Sequence, residues 1–91
     1  MTSPSAGSLH ILYFAWLRER VGLAEEHVVL PDDVRTVARL MAWLASRGGG
    51  YAAAFTADNK IRCAVNQEFA LPETALKPGD EIAFFPPVTG G

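Results

Sequence analysis

The sequence has a single cysteine, Cys63, among its 91 residues, which excludes an internal disulfide and fits a reducing compartment. Its two histidines, His10 and His27, are isolated along the chain, so no metal site built from histidine and cysteine is visible. No apolar run reaches the roughly 18 residues of a membrane-spanning helix. Residues 1–8 lack the basic and apolar regions of a signal peptide. These absences predict a soluble, cytoplasmic protein that binds no metal and no membrane.

Positive charge is also sparse and dispersed. The chain has 8 basic and 10 acidic residues, for a net charge of −2, and the basic residues form no stripe that could follow a phosphate backbone. Nucleic-acid binding is therefore disfavoured. The apolar half of the composition argues against disorder, and the length allows one domain with a modest core.

Residues that could form an independent active site are missing. Cys63 lies in the middle of a predicted strand, where a free cysteine is usually a small buried apolar residue. The paired carboxylates at 25–26, 32–33 and 80–81 each adjoin a turn or a helix start, which indicates solvated charges. The glycines at 48–50 follow a helix and lack the lysine of a phosphate loop. The sequence predicts no catalytic site and no cofactor bound by this chain.

The elements predict one α+β domain. We expect a flexible leader over 1–8, a folded domain over 9–87 and an extended tail over 88–91. Strands are predicted at 9–15, 26–30, 61–65 and 81–85, a helical turn or loop at 16–21, a main helix at 37–47 and a short helix within 51–57. The order β-β-α-β-β predicts a mixed sheet with one main helix packed on one face.

The main helix has the clearest signals. Thr36 is the predicted N-cap. Val37, Leu40, Met41 and Leu44 follow the spacing of one buried helical stripe. Gly48 then ends the helix.

Adjacent aromatic residues in the last strand predict an exposed apolar patch. Phe84 and Phe85 must point to opposite faces of a sheet, so only one of them can join a core beneath the helix. Phe14 would be exposed beside Phe85 if Tyr13 faces that core. Such a patch indicates a protein interface, unless loops or the leader cover it.

The chain ends in Gly90-Gly91, which follow Pro86-Pro87 after two intervening residues, Val88 and Thr89. A tail without side chains can enter a slot that any Cβ would block, and its α-carboxylate is ionised at neutral pH. A partner could activate that carboxylate with ATP. We hypothesise that the terminus is the functional group; the alternative is a loose chain end.

Three stretches carry a family resemblance. They are LYFAWLRERVG (12–22), AVNQ (64–67) and LKPGDEIAFFPPVTGG (76–91), of which the last is the most specific. The chain from Leu9 to Gly91 resembles the small subunits of molybdopterin synthase, which are ubiquitin-like β-grasp sulfur carriers. The resemblance implies a β-grasp fold and a non-catalytic, sulfur-donating subunit of a heterotetrameric complex.

The resemblance also implies partners and roles. An E1-like enzyme would use ATP to adenylate Gly91, and sulfur from a donor would convert it to a thiocarboxylate. The tail would then enter the large synthase subunit and deliver sulfur to cyclic pyranopterin monophosphate, with Gly90 providing clearance. The positions that match partner contacts are Phe14, Arg18, Phe69, Phe85, Pro86, Pro87, Val88 and Thr89.

Two other functions stay open. The chain could carry sulfur for another pathway, such as thiamine thiazole or cysteine synthesis. It could instead be a ubiquitin-like modifier whose Gly91 is joined to lysines of target proteins.

Overall fold

The computed structural model describes residues 8–56 and 60–87. Five strands and three helices follow one another in this part of the chain in the order β1-α1-β2-α2-α3-β3-β4-β5. The strands are β1 (Ser8–Tyr13), β2 (Glu25–Val29), β3 (Arg62–Val65), β4 (Glu68–Ala70) and β5 (Glu81–Phe85). The helices are α1 (Trp16–Val21), α2 (Val37–Ser46) and α3 (Gly49–Ala54). No helix in these ranges is long and apolar enough to cross a membrane.

The strands form one mixed sheet in the order β2-β1-β5-β3-β4. The central pair, β1 and β5, is parallel, and every other pair is antiparallel. The predicted mixed sheet of an α+β fold is therefore confirmed.

The core lies between one face of this sheet and the helices. Alternation along β1 turns Leu9, Ile11 and Tyr13 inward, and all three are buried. From β5, Ile82 and Phe84 join them. The predicted stripe of α2 is also found: its buried residues are Val37, Leu40 and Leu44, and Met41 packs at the edge of the core.

The start of α2 has the predicted cap. The Thr36 hydroxyl oxygen accepts a hydrogen bond from the backbone N–H of Arg39 at 3.2 Å. This bond satisfies one of the free N–H groups of the first turn. At the other end Gly48 has a φ of 76°, which suits a glycine after a helix.

Some sequence predictions were wrong in detail. β1 starts at Ser8, which is buried and was assigned to the leader. The four predicted strands omitted β4, because only one of its three residues is a strong strand former. The short helix predicted within 51–57 begins earlier, at Gly49, as α3, which packs against α1 and α2.

A shared carboxylate links the sheet to α3. Oε2 of Glu26 accepts hydrogen bonds from the hydroxyls of Tyr13 and Tyr51, each at 2.7 Å. Nη1 of Arg47 lies 3.3 Å from the other oxygen, and its guanidinium stacks over the Tyr51 ring. Burial raises the pKa of both tyrosine hydroxyls, and the bonds to Glu26 raise it further.

The buried carboxylate of Asp80 fixes the chain entering β5. It accepts hydrogen bonds from the Asn66 side chain and the Lys77 backbone N–H, both at 3.0 Å. Burial acts to raise the pKa of Asp80, but these bonds and the Lys77 charge together lower it below its ordinary value. The turn between β3 and β4 is thereby joined to the predicted Pro78-Gly79 turn, where Gly79 has a φ of 93°.

Several predictions lie outside the described residues. They concern most of the leader, the end of the short helix predicted within 51–57, and the tail residues Val88, Thr89, Gly90 and Gly91.

Candidate partner-binding surface and chain exit

The sheet face opposite the helices is apolar in its middle. Strand register places Leu12, Ala83, Ala64 and Phe69 in one row across β1, β5, β3 and β4. The two central positions are alanines, so the side chains between Leu12 and Phe69 project only a short distance from the sheet. We call this row, together with Phe85, the outer apolar surface.

Phe69 and Phe85 form the most prominent part of that surface. Their rings meet edge to face, with centroids 6.0 Å apart and an interplanar angle of 63°, as aromatic pairs prefer. Phe69 is 83% exposed, whereas Phe85 is half-buried. Beside the pair is a depression of about 290 Å³, lined by Arg62, Cys63, Phe69, Ala70, Leu71 and Phe85.

Phe14 directly follows β1, on the side of β5 away from β3, and Arg18 lies in the helix α1 that comes next. The Phe14 backbone N–H donates to the carbonyl oxygen of Phe84 at 3.1 Å, and its side chain is 44% exposed. The chain then turns sharply at Ala15, which has a φ of 57°, and enters α1. Arg18 is exposed on that helix. The predicted exposure of Phe14 is confirmed, whereas Phe85, predicted to be exposed beside it, is half-buried.

The point where the chain leaves the sheet lies between these groups. β5 ends at Phe85, and Pro86 has no N–H to continue the ladder. Tyr13 is the register partner of Phe84, and Arg62 is the partner of Phe85. The end of β5 at Phe85, where the segment from Pro86 begins, therefore has Phe14 on one side and Arg62 on the other, and the Phe69 ring contacts that of Phe85.

The other half of the same sheet face is polar. Nε2 of His10 lies 2.6 Å from Oε1 of Glu25, and its Nδ1 lies 3.7 Å from Oε2 of Glu81. The ring of His27 stacks on His10 with centroids 4.3 Å apart. Within the described ranges no group of three His, Cys, Asp or Glu side chains could hold a metal ion. This polar half borders the outer apolar surface.

Cys63 belongs to the core side of β3. Its sulfur is buried and lies 3.9 Å from the carbonyl oxygen of Ala70. Burial raises the pKa of the thiol, which disfavours the nucleophilic thiolate. The structure thus supports the interpretation of Cys63 as a packed apolar residue.

Only some of these surface residues could be identified from the sequence. Alternation in β1 and β5 identified Phe14 and Phe85, whereas Arg18 and Phe69 came from the family resemblance. Arg62 was not singled out at all. Its place opposite Phe85 depends on the β3–β5 register, which no local signal shows.

The sheet order and the helices on one face define a ubiquitin-like β-grasp protein. Solved structures agree: SAMP1 from Haloferax volcanii superposes with a TM-score of 0.72 at 32% identity, covering 93% of this chain and 100% of that one. A chain of the BexX/CysO complex from Amycolatopsis orientalis gives a TM-score of 0.61 at 25% identity, over 91% and 99% of the two chains.

The family follows from the sequence comparison. The model of the ThiS family matches residues 11–91, and the chain belongs to that family. It is 43% identical over 83 residues to the molybdopterin synthase sulfur carrier subunit of Haemophilus influenzae, covering 91% of this chain and 99% of that protein. The subunit of the same name from Escherichia coli is 41% identical over the same shares.

Proposed function

We propose that this chain is the sulfur-carrier subunit of molybdopterin synthase, and that its C-terminal Gly91 carries the sulfur as a thiocarboxylate. The observation that carries this proposal is the position of the chain exit. The segment leading to Gly90-Gly91 starts between Phe14 and Arg62, at the border of the outer apolar surface. A partner that covers this surface therefore also receives the tail.

The chemistry requires a partner enzyme. The Gly91 carboxylate attacks the α-phosphorus of ATP, a carboxylate oxygen becomes bonded to phosphorus, and pyrophosphate leaves. Hydrosulfide released from the sulfur donor at the E1-like partner then attacks the acyl carbon, AMP leaves with one of the former carboxylate oxygens, and loss of the S–H proton leaves the thiocarboxylate. The described residues contribute binding and orientation to these steps, and the activating enzyme contributes the catalytic groups.

Sulfur delivery then takes place in the large synthase subunit. Phe14, Phe69 and Phe85 supply the apolar contact area, and Arg18 adds a charged contact at its border. Pro86-Pro87 keeps the start of the tail stiff, which reduces the entropy lost when the tail enters the large subunit. Cyclic pyranopterin monophosphate receives the sulfur there.

Intact-protein mass spectrometry tests this function. The purified chain is incubated with the E1-like enzyme, ATP and a sulfur donor, and omission of ATP is the control. We expect an ATP-dependent mass increase that equals the replacement of one oxygen by sulfur, absent from a chain that lacks Gly91. An unchanged mass with all components active would contradict the proposal.

A ubiquitin-like modifier is the second candidate, because small archaeal modifier protein 1 of Haloferax volcanii shares this fold. It predicts products in which Gly91 is joined to lysines of other proteins, visible in the same spectra. A carrier for another pathway predicts the same thiocarboxylate but no transfer to cyclic pyranopterin monophosphate in the presence of the large subunit.

A further inference from the structure

The edge strand β4 presents one open backbone position. Asn66 and Gln67 have φ values of 51° and 71° and form a two-residue turn, which makes Val65 and Glu68 a hydrogen-bonded pair. The next pair, Ala64 and Phe69, is then a non-hydrogen-bonded one. The N–H and C=O of Phe69 consequently point away from β3, toward the open side of the sheet.

The bonding on the other side of β3 agrees with this assignment. The Asn66 N–H donates to Glu81 of β5 at 2.7 Å. Alternation along β3 thus directs the peptide groups of Ala64 to β5 and those of its neighbours to β4.

The residues after β4 leave Phe69 as the position available for pairing. The Leu71 N–H donates to the Thr74 hydroxyl at 2.9 Å, and the Leu71 carbonyl accepts the Thr74 N–H at 2.9 Å. Leu71 therefore satisfies its own peptide groups within the loop. Natural proteins commonly protect an edge with charged residues or proline. Here Glu68 and Pro72 are exposed on either side of the open position. The side chains at and after that position, Phe69 and Leu71, are nevertheless apolar, at 83% and 62% exposure.

Two apolar depressions flank this edge. The one on the outer face, of about 290 Å³, includes Phe69 and Phe85 in its lining. The one on the helix face, of about 140 Å³, is lined in part by Met41, Ile61 and Pro72. Successive side chains of a strand point to opposite faces. A segment paired with β4 would therefore place neighbouring side chains in the two depressions.

The positive charge of Arg62 favours a negatively charged residue in any segment that pairs with β4. Arg62 is exposed and lines both depressions. It makes no ion pair with a carboxylate of residues 8–56 or 60–87. A carboxylate on the bound segment would complement it.

We propose that β4 is a strand-addition site for an extended segment of the large partner subunit. One residue of that segment pairs with the N–H and C=O of Phe69, its apolar neighbours enter the two depressions, and a carboxylate lies against Arg62. This inference rests on the proposed function. It assigns the segment to the large subunit because the site is continuous with the Phe69–Phe85 pair at the chain exit. A partner that receives the tail and also pairs a strand with β4 binds the carrier through two connected contacts, so each contact strengthens the other.

Amide hydrogen exchange tests the pairing without any substitution. Exchange at Phe69 is measured by NMR in the ¹⁵N-labelled chain, alone and saturated with unlabelled large subunit, with the loop amide of Asp33 as control. We expect exchange at Phe69 to slow at least about tenfold, as a new hydrogen bond requires, and exchange at Asp33 to stay unchanged. A complex in which the Phe69 amide exchanges as in the free chain would overturn strand addition and leave the proposed function standing.

A matched pair of variants gives a second readout. Phe69→Ala and Phe69→Pro both remove the ring, but only proline removes the N–H, which the β3–β4 ladder does not use. With melting temperatures checked, we expect Phe69→Pro to bind the large subunit at least about tenfold more weakly than Phe69→Ala; equal affinities would contradict the inference. Failure of the unaltered chain to bind the large subunit would overturn both proposals. In the chain alone, slower exchange of the Phe69 amide at higher protein concentration, together with dimers detected by analytical ultracentrifugation, would show that a second copy of this chain pairs with β4 instead.

Discussion

Gly50 in α3 lies directly against the backbone carbonyl of Arg20 in α1. A Cβ at residue 50 would overlap that carbonyl group, and the obstacle is backbone that cannot rotate away. The two helices approach this closely because residue 50 has no side chain. The position of α1, which carries Arg18, thus depends on a glycine in a neighbouring helix.

Gly50→Ala should therefore destabilise the fold even though alanine favours helices. We expect the free energy of unfolding to fall by about 1–3 kcal/mol, as in overpacked sites, measured by urea denaturation. Ala53→Ser, an exposed change in the same helix, is the control and should shift stability by only about 0.5 kcal/mol. Equal effects would show that the helices separate freely.

Glu26 should matter more than either tyrosine that binds it. Tyr51→Phe removes one hydrogen bond to the carboxylate and should lower the free energy of unfolding by about 1.5 kcal/mol. Glu26→Ala leaves the hydroxyls of Tyr13 and Tyr51 without their acceptor and should cost about 3 kcal/mol. Thermal or urea unfolding of both variants checks the order, and a Glu26→Ala chain as stable as Tyr51→Phe would contradict it.

The lowered pKa of Asp80 predicts that the folded chain loses stability in acid. Its pKa is lower in the folded chain than in the unfolded chain, so its contribution is complete above the unfolded pKa of about 3.9. The contribution is lost as pH falls through the folded pKa. Asp80→Asn should therefore be less stable than the unaltered chain at neutral pH, and the difference should shrink in acid.

Urea unfolding at neutral pH and near pH 3 measures this difference. Glu73→Gln, at an exposed position, serves as the control and should unfold like the unaltered chain at both pH values. A difference between Asp80→Asn and the unaltered chain that stays constant with pH would contradict the assignment.

The adjacent phenylalanines of β5 should separate folding from binding. Phe84 is fully buried, so Phe84→Ala should lower the free energy of unfolding by about 3–5 kcal/mol. Phe85 is half-buried and contacts the Phe69 ring on the outer apolar surface. Phe85→Ala should cost less stability but weaken binding to the large subunit at least about tenfold. Melting curves measure the stability of both variants, and calorimetric titration measures their affinity for the large subunit. Unaltered binding by Phe85→Ala would show that Phe85 is not part of the interface.

Elements with a strong local pattern could be predicted from the sequence. Alternation placed Tyr13 and Phe14 on opposite faces of the first strand, and the cap at Thr36 placed the start of α2. β4 could not be found in this way, because Glu-Phe-Ala is too short to show a period and forms a strand only by pairing with β3. Tertiary pairing outweighed local propensity there.

The candidate surface, like the fold, could be predicted from the sequence only where a local pattern was present. The opposite orientations of Phe84 and Phe85 follow from strand geometry alone. The proximity of Arg62 and Phe69 to the chain exit depends on the register of β3 with its two neighbours. The contact of Gly50 with Arg20 depends on the packing of two helices that are distant in sequence.

The central claim is that the α-carboxylate of Gly91 is the reacting group. The most direct measurement compares molybdopterin formation by the unaltered chain with that by a chain amidated at Gly91, in the presence of the large subunit, the E1-like enzyme, ATP, a sulfur donor and cyclic pyranopterin monophosphate. We predict product with the free carboxylate and none with the amide, although both chains bind the large subunit. Product formed at equal rates by the amidated chain would contradict the claim.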